Sequence, residues 1–180
     1  METTLIARAQ EGEDAAVGEL YDRYREQVFQ YLYYRVGDSQ TAEDLTAEVF
    51  LRAMEALPRY RSQGTPFRAW LFQIARNLAV DHYRRAGRRR HVVLTDRIPH
   101  QGATPEESVE SRLTSARLYR ALQRLKDSQR EVIVLRFVVD LPIAEVAQAL
   151  GRSEDSVKGL QRRGLKVLRQ TLQKEGVTYG

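Results

Sequence analysis

"IAEVAQALGRSEDSVKGLQRRGLKVL" spans residues 143–168. Ile143, Val146, Ala147 and Leu150 recur at helical spacing and make one apolar face. Gly151 follows, the residue type that readily takes the positive φ of a tight helix-ending turn. Ser153 stands where a second helix would be capped, and Val157, Leu160, Gly164 and Leu168 give that helix its inner face. A small residue at Ala147 lets the two helices cross closely. The pattern is that of a helix-turn-helix. The outer face of the second helix carries Lys158, Gln161, Arg162, Arg163 and Lys166. On a major-groove reader those cations reach base edges and phosphates. On a generic helical hairpin the same residues would be a solvated basic face. Glu154 and Asp155 suit the positive end of the helix but would repel phosphate. Gly159 and Gly164 each cost the helix about 1 kcal/mol relative to alanine. At Gly159, on the outer face, the missing side chain would admit DNA backbone closely.

Upstream of this hairpin the chain reads as further helices. Ser128 and Glu131 have capping-box spacing ahead of an apolar run from Val132 to Val139. Thr104, Pro105 and Glu107 suit the N-cap, N1 and N3 positions of another helix, continued by Leu118, Leu122 and Leu125. Between the halves, residues 92–112 gather Pro, Gly, Thr and Ser and lose the apolar stripe, which predicts a flexible linker. In the first half, Phe67, Trp70, Leu71, Ile74 and Leu78 form one helical face, and five arginines fill the seven positions 84–90. Arg68, Arg76, Asn77, Asp81, Arg84, Arg85 and Arg88 fall largely off that face, where such side chains can reach phosphates and base edges. A helix over residues 41–57 is expected to start at Thr41 and Asp44, to bury Leu45, Val49, Ala53 and Leu57, and to stop at Pro58. Glu43, Asp44 and Glu48 point elsewhere. Val17, Leu20, Tyr21, Tyr24, Val28, Phe29 and Leu32 give residues 14–36 the same period. No strand pattern is present in this half. The expected fold is all-α: two small helical domains, 1–91 and 113–180, joined by the linker 92–112.

Composition narrows the chemistry. The chain has 180 residues, 42% hydrophobic and 29% charged, and no cysteine, so disulfides and thiolate metal sites are excluded. His82, His91 and His100 make no ligand spacing with one another, and no metal or cofactor is expected. The apolar runs are too short to span a bilayer, and the first residues lack a signal peptide's basic start and apolar stretch. The expectation is a cytoplasmic protein without membrane insertion and without an appended sensor domain. Residues 1–66 carry 7 basic and 12 acidic groups, residues 67–91 carry 7 and 1, and residues 152–180 carry 7 and 3. Two basic clusters separated by more neutral chain suit two contacts with a polyanion, or two solvated faces. A nuclease would need clustered carboxylates or histidines. Asp81 and His82 form the lone adjacent acid–histidine pair, and helix neighbours point apart. A single-hairpin repressor would account for residues 127–173 but not for an acidic helix followed by an arginine helix.

The stretches AEDLTAEVFLRA (residues 42–53), PFRAWLFQIARNLAVDHYRR (66–85) and SVKGLQRRGLKVLR (156–169), in this order and at these separations, carry a resemblance. The chain resembles an extracytoplasmic-function sigma factor of bacterial RNA polymerase, over about residues 5–172. The resemblance implies a non-enzymatic initiation factor whose partners are core RNA polymerase, through its β and β′ subunits, and promoter DNA. Control would come from a separate anti-sigma protein. Asp44, Leu45 and Glu48 would dock on the clamp helices of the largest polymerase subunit. Ala47 departs from the glutamine frequent at that position. The loop Tyr60, Arg61, Ser62, Gln63, Gly64 and Thr65 would capture a flipped base of the minus-ten element. Arg76, Asn77, Asp81, Arg84, Arg85 and Arg88 would read that element and its flanking backbone. Ser156, Lys158, Gly159, Arg162 and Arg163 would read the minus-thirty-five element, with Arg136 on its backbone. The linker would thread towards the polymerase active-site and RNA-exit channels.

Overall fold

The computed structural model describes residues 1–86 and 109–176. These hold eight α-helices and no strand: α1 Glu2–Gln10, α2 Asp14–Val36, α3 Ser39–Ala56, α4 Phe67–Arg85, α5 Val109–Leu122, α6 Asp127–Ile133, α7 Ile143–Leu150 and α8 Glu154–Lys174. Thr104, Pro105 and most of the expected linker, with Arg88, His91 and His100, lie outside the described residues. Residues 109–112, within the expected linker, are already helical.

The first domain packs α1, α3 and α4 around the long α2. Helix α2 ends at Gly37, whose φ of +76° and N–H to the Tyr33 carbonyl (2.8 Å) close a left-handed cap. The chain then starts α3 at once. Its cap is Asp38, not the expected Thr41: the Asp38 carboxylate accepts from the Thr41 N–H at 2.9 Å and from its hydroxyl at 2.5 Å. Those bonds hold the Asp38 carboxyl below the usual carboxylate range. Thr41 thus sits inside the first turn as a donor, because a carboxylate directly after the helix-ending glycine competes better for the free N–H groups. In α4 the buried side is wider than the expected stripe. Phe67, Leu71 and Leu78 are buried, and so are Ala69, Phe72, Ala75 and Ala79, while Trp70 and Ile74 are half-buried at its edge.

The second domain is built on α6 and α8, with α7 completing the hairpin. Here the reading of residues 143–168 holds at the turn and the cap, while Ile143 and Leu168 are half-buried at the edges of the inner faces. Helix α7 ends at Gly151 (φ +63°), and the Ser153 side chain accepts from the Ser156 N–H at 3.1 Å to start α8. Val157, Leu160 and Gly164 are buried. A Cβ on Gly164 would sit 3.0 Å from Ile133 Cγ1, so close approach of α8 to α6 accounts for that glycine. The expected capping box at Ser128 does not form. Helix α6 starts at Asp127 without a side-chain cap, and Glu131 is turned away from the helix start, as described below. Arg130 does the local work instead. Its buried guanidinium donates to the carbonyls of Leu122 (2.9 Å) and Leu125 (3.1 Å) and pairs with Asp127, satisfying backbone that α5 leaves free at its end. A π-helical turn over Val134–Val138 then leads into α7.

The two domains meet. Helix α4 lies against α7, and α2 against the π-helical turn. Tyr119 of α5 covers Gly37 so closely that its hydroxyl leaves no room for a Cβ there. Its ring lies 5.9 Å from that of Tyr33. Burial pushes the hydroxyls of Tyr33 and Tyr119 up to about 12.

Candidate nucleic-acid interface

Helix α8 presents the more open of two basic faces. Lys158, Arg162, Arg163 and Lys166 are exposed, and none of them forms an ion pair among the described residues. The cap bond at Ser153 and the packing of Val157 and Leu160 fix the rotation of the helix, so these side chains point outward together. Ser156 and Gly159 are half-buried between them, and the Arg163 guanidinium lies over Gly159, with Nη1 3.3 Å from where a Cβ would be. Arg136 does not join this face as a free cation. Its Nη1 donates to the Leu141 carbonyl at 2.9 Å, and its guanidinium lies 5.5 Å from the ring centre of the exposed Phe137.

The face of α4 is arranged differently. Asn77, Arg84 and Arg85 are exposed and Asp81 is half-buried. Arg76 is committed: its Nε donates to Glu131 Oε1 at 3.1 Å. The same carboxylate oxygen lies 2.9 Å from Arg35 Nη1, and both of those side chains are about 95% buried. Burial works against the Arg35 charge, but Tyr31, Glu131, Tyr83 and Asp127 together offset it and hold the guanidinium above its ordinary pKa. One turn earlier, Gln73 Nε2 donates to the Gln148 carbonyl (2.8 Å), and Arg68 Nε donates to Glu145 (2.8 Å).

The loop before α4 is held from within. Tyr60 is buried, its ring packs on Trp70 and Phe67, and its hydroxyl donates to the Thr65 carbonyl at 2.8 Å. That clasp presents Arg61, Ser62, Gln63 and Gly64 to solvent, with Gly64 at φ +90°. Tyr60 is therefore a wall of the loop rather than a free stacking ring. Gln10 donates to the Leu57 and Tyr60 carbonyls and ties the loop to α1.

On α3, Asp44 and Ala47 are exposed, Glu48 pairs with Arg52 one turn on at 3.1 Å, and Leu45 packs partly into the core. Sequence reasoning passed over Leu51, which is 61% exposed on this acidic face. Its signal was a leucine off the Leu45–Val49–Ala53 stripe. Beside it, Tyr21, Arg25, Phe29, Glu43, Thr46 and Ala47 line a groove of about 210 Å³ between α2 and α3. Among the described residues no cluster of His, Asp or Glu could hold a metal, and no helix is long and apolar enough to cross a membrane.

Family comparisons match both domains in order. The Sigma-70 region 2 family model matches residues 20–89, and the Sigma-70, region 4 family model matches residues 121–170. The chain is 35% identical over 160 residues to the ECF RNA polymerase sigma factor SigX of Bacillus subtilis, covering 86% of this chain and 82% of SigX. The chain belongs to the extracytoplasmic-function sigma factors. It is also 42% identical over 170 residues to the sigma factor BldN of Streptomyces coelicolor, covering 93% of this chain and 64% of BldN. Its fold is similar to that of CnrH in complex with the cytosolic domain of CnrY, at 29% identity and a TM-score of 0.76, over 95% of this sigma factor and 96% of CnrH. The arginine helix α4 thus falls in region 2 and the hairpin α7–α8 in region 4.

Proposed function

We propose that this sigma factor binds core RNA polymerase and directs initiation at promoters through three surfaces. Domain 1–91 docks on the β′ clamp helices through Asp44, Leu45 and Glu48, with Leu51 as the apolar contact of that face. The exposed loop residues Arg61, Ser62, Gln63 and Gly64, on the frame of Tyr60 and Thr65, hold a flipped minus-ten base. Arg76, Asn77, Asp81, Arg84, Arg85 and Arg88 take the adjoining strand and its phosphates. Domain 113–180 places α8 in the major groove of the minus-thirty-five element, with Ser156, Lys158, Gly159, Arg162 and Arg163 at the contact and Arg136 by the backbone. Residues 92–112 connect the two. The role is binding rather than catalysis, in the bacterial cytoplasm where RNA polymerase works.

The observation that carries this reading is the outer face of α8. Its cations are exposed, unpaired among the described residues and fixed in rotation by a capped, packed helix. That is what base readout requires, since a bidentate contact discriminates only when its donor is held in register. CnrH was solved with the cytosolic domain of CnrY bound, which supports a separate anti-sigma protein as a further partner here. Run-off transcription with core enzyme on promoters varied one base at a time tests the reading. Core-dependent transcripts that respond to both promoter elements are expected. Transcription indifferent to the upstream element would remove α8 from the role given to it.

A further inference from the structure

We infer that Gln10, the last residue of α1, is a positioning residue for base capture: it fixes the entry of the loop 60–65 and leaves Arg61 able to turn to DNA. The role rests on the assignment of that loop to a flipped minus-ten base.

The loop leaves the chain at a 3-10 turn, Leu57–Arg59. Gln10 reaches this turn from 47 and 50 positions away. Its Nε2 donates to the Leu57 carbonyl at 3.1 Å and to the Tyr60 carbonyl at 2.9 Å, so both N–H groups of one amide are spent on the loop's entry. The Leu57 carbonyl already takes the Tyr60 N–H at 3.0 Å, and Gln10 fills its second lone pair. The far end of the loop is held by the Tyr60 hydroxyl on the Thr65 carbonyl at 2.8 Å. Tyr60 is thus gripped at its backbone by α1 while its side chain grips the exit. Residues 61–64 bridge the two bonds and are exposed.

Helix α1 is a firm support. Leu5, Ile6 and Ala9 are buried, and the helix packs on α2. The Tyr24 hydroxyl donates to Glu2 at its start, and Arg8 Nε donates to Glu13 Oε2 at 2.8 Å beyond its end. The Tyr24 ring lies 5.6 Å from that of Phe67, which lies 5.7 Å from that of Tyr60, so α1 and the loop share one aromatic cluster. The helix precedes residues 20–89, the span matched to region 2.

The Tyr60 carbonyl has a second donor. Arg61 Nη1 lies 2.9 Å from it and 3.1 Å from the Pro58 carbonyl, which folds the guanidinium back onto the loop. When Arg61 turns to a phosphate or a base, Gln10 keeps the Tyr60 carbonyl paired. Without Gln10 the same movement strands that acceptor, and leaving a hydrogen bond unmade costs more than making it gains. The loop then loses both its fixed entry and the ready release of its cation.

The test uses the full chain with core enzyme and minus-ten non-template oligonucleotides of a promoter it transcribes, with each of the four bases placed in turn at every position. The natural chain should favour one base at the captured position. Gln10→Leu, which removes both donors, should reduce that preference about fivefold, the size of one weakened base contact. Core affinity and the preferences within the upstream element should stay as they are. Gln10→Lys, whose ammonium carries three donors, should recover most of the preference, and Gln10→Glu, an acceptor only when ionised, should not. That pair decides the matter even where Gln10→Leu folds poorly. Full preference in Gln10→Glu, or equal loss in Gln10→Lys and Gln10→Glu, overturns the positioning role. So does weakening that is uniform over the four bases, which would make Gln10 a tie for the fold alone. A natural chain indifferent to base identity at every minus-ten position removes the base-capture reading itself, whatever Gln10 does.

Discussion

Two basic helix faces of the same molecule stand in opposite conditions. On α8, Lys158, Arg162 and Arg163 are exposed with no ion pair among the described residues; on α4, Arg68 and Arg76 are each bound to a glutamate of the other domain. In sequence the two look alike, since both place arginines off an apolar stripe. What differs is the partner, which lies 77 positions away for Arg68 and 55 for Arg76. Availability of a charge is a property of the tertiary structure. A cation with a fixed rotation and no internal partner is ready for DNA. One already neutralised must first be released.

The comparison breaks most visibly at Glu131. Glu131→Ala would leave Arg35 buried without its carboxylate, and removing one partner of a buried pair costs about 3–5 kcal/mol. Thermal and urea unfolding of the full chain should show a loss of that order. Glu145→Ala, whose side chain is 19% exposed, should cost far less. Equal costs would mean that Glu131 is not the centre of the contact.

Next in size is the division between base and phosphate contacts. Arg162→Ala should lose about 1–3 kcal/mol of discrimination at one base pair of the upstream element. Arg84→Ala with Arg85→Ala should weaken holoenzyme binding to all promoters alike and lower the salt slope by roughly one per charge removed. Titrations at several salt concentrations on single-base variants separate the two. Uniform weakening by Arg162→Ala would make α8 an electrostatic clamp and remove the distinction between the faces.

The elements legible in the sequence are those whose causes are local. The hairpin from Ile143, its turn at Gly151 and its cap at Ser153 stand where the periodicity places them, because period, turn and cap all lie within one short segment. The start of α3 was misplaced because Asp38 and Thr41 both fit a cap, and geometry chose the carboxylate. Ser128 and Glu131 fit a capping box equally well by spacing. There a second domain supplied two guanidiniums, and the carboxylate turned to them. Tyr60 of the expected base-capture loop packs on Trp70 and Phe67 and so frames the loop, a contact that residue spacing alone does not reveal.

A smaller effect tests the two sides of α8 against each other. A methyl on Gly164 would sit 3.0 Å from Ile133 Cγ1, in a core where Ile133 is 3% exposed. Overpacking of that kind should outweigh the gain in helix propensity, so Gly164→Ala should destabilise the chain by about 1 kcal/mol. A methyl on Gly159 meets only the mobile end of Arg163, so Gly159→Ala should raise stability, by at most about 1 kcal/mol. If DNA backbone approaches at Gly159, promoter affinity falls although stability rises. Melting temperature and promoter binding should then move in opposite directions for that variant alone.

The smallest effect on the fold is expected on α3, where an acid plays the opposite part to Glu131. Glu48 has a side chain 45% exposed and its partner Arg52 is one turn away on the same helix, while Asp44 accepts from Gln40, also one turn away. An exposed pair of this kind contributes a few tenths of a kcal/mol. Asp44→Lys with Glu48→Lys should therefore leave stability within about 0.5 kcal/mol, as for ordinary surface changes. Core binding should nonetheless fall, because the docking face proposed for the β′ clamp is acid around the exposed Leu51. The contrast with Glu131 is then complete: one acid holds the chain to itself, the other is kept for a partner. Thermal melts and a core pull-down on the same preparation read the two effects. A charge-reversed chain that binds core as the natural one does would place the docking surface elsewhere on the molecule.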